Sequence, residues 1–168
     1  MEKIYALAGK ARSGKDSASL IIKNYYKGKK VLVYSCTMYL KKIIQKISDW
    51  NGDEETKPRD MLQKIGKEIK DVYPDYFIER MEEDIRFLSN YCDIIIITGV
   101  RLVKELEFLK SHGAFLIKVC KDADNNLTLE QKKDITEIDV DNYNDYDYVL
   151  NNNEGLEELE KKLIKILE

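Results

Sequence analysis

Apolar residues fall along this chain in two rhythms. Short, nearly continuous runs occur at Ile4–Ala8, Val31–Cys36, Asp93–Thr98, Ala114–Cys120 and Tyr148–Leu150. Asp93–Thr98 (DIIIIT) is almost wholly β-branched, as suits a parallel strand buried on both faces. Between these runs, apolar residues recur every three or four positions. Ala18, Ile21, Ile22 and Tyr25 mark a helix from about Gly14 to Tyr26, ended by the Lys27-Gly28-Lys29-Lys30 turn. Leu40, Ile43, Ile44 and Ile47 mark another, before a loop from Trp50 through Thr56. After Pro58, Leu62, Ile65, Ile69 and Val72 share one helical face; after Pro74, so do Ile78, Met81, Ile85 and Leu88. Leu102, Leu106 and Leu109, and finally Leu156, Leu159, Leu163 and Ile166, predict two more helices. Strands alternating with helices predict a three-layer α/β domain around a parallel sheet of five strands.

Two stretches depart from that alternation. The helices of about residues 38–90 form an insertion longer than a simple βαβ unit needs. From about 121 to 145 the chain is polar, acidic and poorly periodic, apart from a short helix around Thr128–Lys133, and predicts a mobile cover or lid. No repeat or linker divides residues 1–168, so one domain is expected. Ligands in such sheets collect at the carboxyl ends of the strands. Asp16, Ser35–Lys41, Arg101, Lys121 and Asn151–Asn153 all follow such ends and predict one crevice.

Composition narrows the function classes. The 168 residues carry 28 Lys and Arg against 31 Asp and Glu, a net charge of -3, so nothing draws the whole chain to nucleic acid. No basic stripe with interleaved aromatics appears either. No apolar run approaches the roughly 20 residues of a membrane helix. The first strand begins at once, without a signal peptide, and Cys36, Cys92 and Cys120 lack metal-type spacing; reduced thiols and a cytoplasmic location are expected. The single His112 precedes Gly113 in a turn and is assigned no catalytic role. Arginine is scarce, at positions 12, 59, 80, 86 and 101 only.

The strongest chemical signal is Gly9-Lys10-Ala11-Arg12-Ser13-Gly14-Lys15-Asp16, between the first strand and the first helix. This is the G-x-x-x-x-G-K spacing of a phosphate-binding loop, with Asp16 where Ser or Thr is usual. Gly9 and Gly14 permit positive φ and bring backbone N–H groups onto phosphate oxygens. The following helix aims its positive dipole end at the same oxygens, and Lys15 reaches the outer phosphates as a compact charge. Asp16 offers magnesium a hard oxygen, directly or through water.

Further segments make the chain resemble the deoxynucleoside monophosphate kinases of phages and bacteria, within the adenylate-kinase-like group of P-loop NTPases. Arg12-Ser13-Gly14-Lys15-Asp16 resembles that family's R-S-G-K-D, whose final aspartate related phosphomevalonate kinases share, and Leu40-Lys41 its L-K pair. Pro58–Gly66 resembles P-R-x-L-L-Q-x-L-G; Arg101, Glu105 and Glu107 match R-F-P-N-E-x-E; Gly113 onward resembles G-G-x-V-I-R. Asn152 and Leu156–Leu159 match N-x-G-x-L-x-x-L. Departures are also visible. The family's D-V-R is Gly99-Val100-Arg101, its H-x-S-E is Asp134-Ile135-Thr136-Glu137, its basic strand exit is Lys121, and the lid holds no arginine.

The resemblance implies a P-loop fold with a helical acceptor-binding insertion and a lid. It implies a Mg2+-dependent kinase moving the γ-phosphoryl group of ATP to a (deoxy)nucleoside monophosphate. Small nucleotides are then the partners, and a homodimer stays open. ATP would sit on Gly9, Lys10, Ala11, Ser13, Gly14, Lys15, Asp16 and Ser17, with Asn152 either at the adenine or making a turn. Lys15, Arg12 and Arg101 would act on the phosphates, Arg12 being otherwise a solvent-facing loop residue and Arg101 otherwise a structural ion pair. Lys41, Arg59, Gln63, Arg101 and Glu105 would serve the acceptor, Lys41 being almost as readily a plain surface charge, Arg59 and Gln63 otherwise an exposed helix face, and Glu105 more an orienter of a basic neighbour than a metal ligand. The rival readings are a small-molecule kinase such as a phosphomevalonate kinase and a nucleotide-binding protein with little transferase activity.

Overall fold

The computed structural model describes residues 3–122 and 126–168. Part of the expected lid, residues 123–125, thus lies outside the described residues. Among the described residues five strands are present, β1 (Lys3–Ala8), β2 (Val31–Ser35), β3 (Ile94–Val100), β4 (Phe115–Cys120) and β5 (Tyr148–Asn151). They form one parallel sheet in the order β2-β3-β1-β4-β5. The chain leaves β1 for the far edge, returns to β3, and then builds outward on the other side of β1. The order therefore reverses beside β1, and that reversal opens the crevice at the carboxyl ends of β1 and β3.

Side-chain alternation along the strands creates the three layers. Ile4, Ala6, Ile95 and Ile97 face one side, under Met81 and Ile85 of α4 (Tyr76–Leu88) and Leu106 and Leu109 of α5 (Val103–Ser111). Tyr5, Leu7, Ile94 and Ile96 face the other, under Ala18 and Ile22 of α1 (Lys15–Tyr25) and Leu159 and Leu163 of α8 (Leu156–Leu167). Each fully buried Ile of β3 removes a whole branched side chain from water, worth about 1.5–3 kcal/mol. Tyr143 and Tyr146 pack against the first core, in keeping with a packing role.

The insertion consists of α2 (Met38–Ile47), α3 (Arg59–Val72) and α4, with Pro58 immediately before α3, where its missing N–H costs nothing. Its small core joins Ile44, Trp50 and Leu62, so Trp50 is a packing residue whose Nε1–H donates to the Asp53 carbonyl at 2.7 Å. The expected short helix after β4 is α6 (Leu129–Lys132). A second helix, α7 (Ile135–Asn142), was not visible in the periodicity, because only Glu137 and Val140 of its residues are buried. Among the described residues, no helix is long and apolar enough to cross a membrane.

Candidate active site

The candidate phosphate loop is built by β1 ending and α1 starting within six residues. Gly9 has φ 146° and Gly14 φ 104°, backbone conformations that a side chain would strain. A Cβ on Gly9 would also strike the Val119 carbonyl, and one on Gly14 would strike the Asn152 amide. No side chain caps the first turn of α1, so its N–H groups remain available to an anion. Arg12 has φ 59°, the left-handed region that few non-glycine residues adopt.

Lys15 is 8% exposed and folds back into the loop. Its ammonium donates to the carbonyls of Gly9 at 2.8 Å and Lys10 at 2.6 Å, and to Ser13 Oγ at 3.3 Å. Burial, then the nearby Arg101 guanidinium, pushes its pKa down to about 7. A phosphate arriving at the loop would favour the charged form again.

Asn152 lies behind the loop. Its side-chain amide donates to the Ser13 carbonyl at 2.9 Å, and its N–H to the Cys120 carbonyl at 2.8 Å. That placement makes Asn152 a brace between β5 and the loop. Lys121 does not line the crevice with the others, and Asn153 binds Asp122 instead, at 2.5–2.9 Å.

In front of the loop is a cavity of about 290 Å³. Arg12, Lys15 and Asp16 come from the loop and α1, Arg101 from the exit of β3, and Lys41, Lys57 and Arg59 from the insertion. Against these six cations stand the carboxylates of Asp16, Glu54 and Glu137. Glu54 pairs with Lys57 at 3.0 Å and Arg59 at 2.9 Å. Burial alone would push the Glu54 carboxyl up, but Lys57, Arg59 and Lys41 outweigh it and hold it below the usual range. Burial, aided by Lys41, draws the Lys57 ammonium down.

A second cavity, of about 280 Å³, shares the wall formed by Thr37, Leu40, Leu62, Gln63, Gly99 and Arg101. It runs on between α2 and α3 past Cys36, Gly66 and Phe77, and is more apolar. Gly99, at φ 77°, stands beside Ser35 and Thr37. Gln63 Nε2 donates to the Gln131 carbonyl at 3.3 Å, and Gln131 donates to Asp60 at 2.6 Å, so α6 touches the insertion across the mouth. Glu105 accepts from the backbone N–H of Arg101 at 2.9 Å and Leu102 at 3.1 Å. Its carboxylate faces the turn that aims Arg101; burial pushes its pKa up while those amides pull it down.

Glu54, Lys57 and Glu137 contribute to the site without being among the candidates. Lys57 fell beside a stretch read as a loop. Glu137 ion-pairs with Arg101 and accepts from Ala11 N–H at 2.9 Å. Its only sequence signal was the final position of Asp134-Ile135-Thr136-Glu137.

Asp16 is exposed at the cavity rim, and no cluster of three metal-ligating side chains occurs among the described residues. One carboxylate suits magnesium in a phosphate site, since this ion keeps waters and takes oxygens from the substrate.

Comparison with known proteins decides the family. Residues 27–163 match the deoxynucleotide monophosphate kinase family. The chain belongs to that family. The matched segment starts beyond the phosphate loop, so the loop is independent support for nucleotide chemistry. A protein of Acanthamoeba polyphaga mimivirus, provisionally named a deoxynucleotide monophosphate kinase, is 27% identical over 122 residues, 66% of this chain. The chain spans 61% of that relative's length. Among solved structures, shikimate kinase from Aquifex aeolicus has a TM-score of 0.55 at 18% identity, covering 98% of this chain and 95% of that one. The Deinococcus radiodurans tunicamycin resistance protein has a TM-score of 0.58 at 11% identity, covering 99% and 96%. These likenesses concern the fold alone, a five-stranded parallel sheet flanked by helices.

Proposed function

We propose that this member of the deoxynucleotide monophosphate kinase family transfers the γ-phosphoryl group of ATP to a (deoxy)nucleoside monophosphate. The observation that carries the reading is the meeting of two cationic walls over the phosphate loop. Lys15, Arg12 and Arg101 form one; Lys41, Lys57 and Arg59 of the insertion form the other. Phosphoryl transfer asks chiefly for alignment and charge cancellation between two phosphorylated partners. ATP phosphates would lie on Gly9–Ser17, and the acceptor phosphate between Arg101 and the insertion. The acceptor's nucleoside would extend into the more apolar second cavity, where Gln63 offers both a donor and an acceptor to a base edge. Asp16 would hold Mg2+, whose charge would neutralise the phosphate oxygens. Segment 121–145 would exclude water over the mouth.

The test is ADP formation from ATP and Mg2+ with each common ribo- and deoxyribonucleoside monophosphate supplied singly, phosphomevalonate alongside, and Lys15→Ala as control. Stimulation by one or a few nucleotides, lost in the control, supports the reading. Stimulation by phosphomevalonate alone would make the protein a different small-molecule kinase. The second reading, a nucleotide-binding protein with little transferase activity, draws on Gly99 and on a cover segment bearing carboxylates where phosphate-clamping arginines would be expected. ATP binding without any acceptor-dependent turnover would select it.

A further inference from the structure

We infer that Glu137 is a positioning residue of the transfer site, fixing the Arg101 guanidinium and the Ala11–Arg12 limb of the phosphate loop in one arrangement. The inference rests on the kinase reading for its consequence in catalysis. Its geometry stands independently.

The two oxygens of one carboxylate are divided between two parts of the site. Oε1 pairs with Arg101 Nη1, and Oε2 accepts from Ala11 N–H at 2.9 Å. Glu137 is 4% exposed and the Arg101 side chain 18%, so the carboxylate has little access to water as a substitute partner. A buried charge is tolerated when each oxygen is satisfied, and truncating one partner leaves the other uncompensated. Arg101 uses one N–H group here and keeps others for a phosphate. Without the pair, a long and flexible side chain would sample many rotamers in a cavity of about 290 Å³.

The bond to Ala11 matters for a second reason. The next residue is Arg12, held at φ 59° without glycine's freedom. Such a conformation persists only where its surroundings determine it. Glu137 grips the chain just before Arg12, and the Ser13 N–H to Lys10 carbonyl bond, at 3.3 Å, closes the turn around it. One side chain therefore acts on both arginines at the cavity's inner wall.

Glu137 is itself held. Asp134 caps α7 through Thr136 N–H at 2.9 Å, which places Glu137 in the first turn, where the helix dipole favours an acid. Farther along α7, Asp139 accepts from Val103 N–H at 2.6 Å, and Asp141 bridges Lys10 at 2.6 Å and Lys118 at 2.8 Å. An acidic helix face over a phosphate site would repel substrate if it were left free. Its carboxylates are instead engaged with the loop, α5 and β4. The docking of α7 thus brings to the site an anchor that β1 and β3 do not supply themselves.

The five arginines make the test direct, because a 15N-arginine-labelled protein has five side-chain Nε resonances. Spectra of the wild type, Glu137→Gln and Glu137→Asp are compared with and without ATP, with Arg101→Lys used for assignment. Acceptor-dependent turnover is measured alongside. In Glu137→Gln the Arg101 signal is expected to shift and broaden. Its kcat should fall about a hundredfold, while KM for ATP changes by less than about threefold. Glu137→Asp keeps the charge and should recover part of both effects. If Glu137→Gln does not fold, Glu137→Asp carries the same comparison. An unchanged Arg101 resonance, or a kcat within about twofold of wild type, would overturn the inference; so would a rise in KM for ATP with kcat intact. Should no nucleoside monophosphate stimulate the wild type, the kinase reading fails, and the resonances alone decide whether Glu137 immobilises Arg101.

Discussion

The brace behind the phosphate loop can be tested by coupling Gly14 to Asn152. In Gly14→Ala the backbone stays near φ 104°, which for an L-residue costs about 1–2 kcal/mol. The new methyl also meets the Asn152 amide, and moving that group breaks its 2.9 Å bond to the Ser13 carbonyl. A lost bond of this kind adds about 1 kcal/mol, for a total near 2–3 kcal/mol. For a chain of this size each kcal/mol lowers the melting temperature by about 2–4 °C, so a fall of about 4–12 °C is expected. Asn152→Ala alone removes only the bond and should cost about 1 kcal/mol. In the double variant the collision is gone and the bond is already lost. Gly14→Ala should then cost only its backbone strain, a coupling of about 1 kcal/mol. The four proteins would be unfolded in urea without nucleotide, and ATP binding measured by calorimetry. Additivity within about 0.3 kcal/mol would refute the brace. So would an Asn152→Ala protein as stable as wild type whose ATP affinity alone had fallen, since that outcome belongs to an adenine contact.

Three further outcomes follow from the same geometry. Ile96→Ala empties a fully buried position in the middle of β3 and should cost about 2–5 kcal/mol in urea unfolding, with KM values unchanged. Lys57→Ala removes a cation from the acceptor side and leaves Glu54 facing Arg59; the acceptor's KM should rise about tenfold, with that for ATP constant. Asp147 accepts from Lys110 Nζ and Leu116 N–H, both at 2.8 Å; burial alone would push its carboxyl up, but these partners prevail and hold it below its ordinary value of 3.8. A depressed carboxyl stabilises the fold above the unfolded value, and that contribution is lost as pH falls through the folded value. Asp147→Asn should therefore be less stable than wild type at neutral pH, and their unfolding curves should converge in strong acid.

Much of this protein was legible along the chain because its determinants are local. A strand buried on both faces needs a β-branched run, which fixed β3 to within two residues of Asp93–Thr98. An amphipathic helix needs a three-to-four rhythm, which α2, α3, α4 and α8 show plainly. A phosphate loop needs glycines where φ is positive, and Gly9, Gly14 and Lys15 stand at their required spacing whatever surrounds them. What remained hidden depends on residues distant in sequence. Helix α7 has too few buried apolar positions to show a period, because carboxylates rather than a hydrophobic stripe dock it. Asn152 reads equally as a base contact or a turn until β5 is placed beside β4 and its amide meets the loop. Glu137 lies 126 residues from Ala11 and 36 from Arg101, and their meeting is a property of the sheet order β2-β3-β1-β4-β5. The sequence by itself determined most of the elements and the glycine spacing of the loop, since periodicity and backbone freedom are written residue by residue. Only the tertiary structure decided which charges face one another, since pairing depends on ångström-scale distances and the exclusion of water.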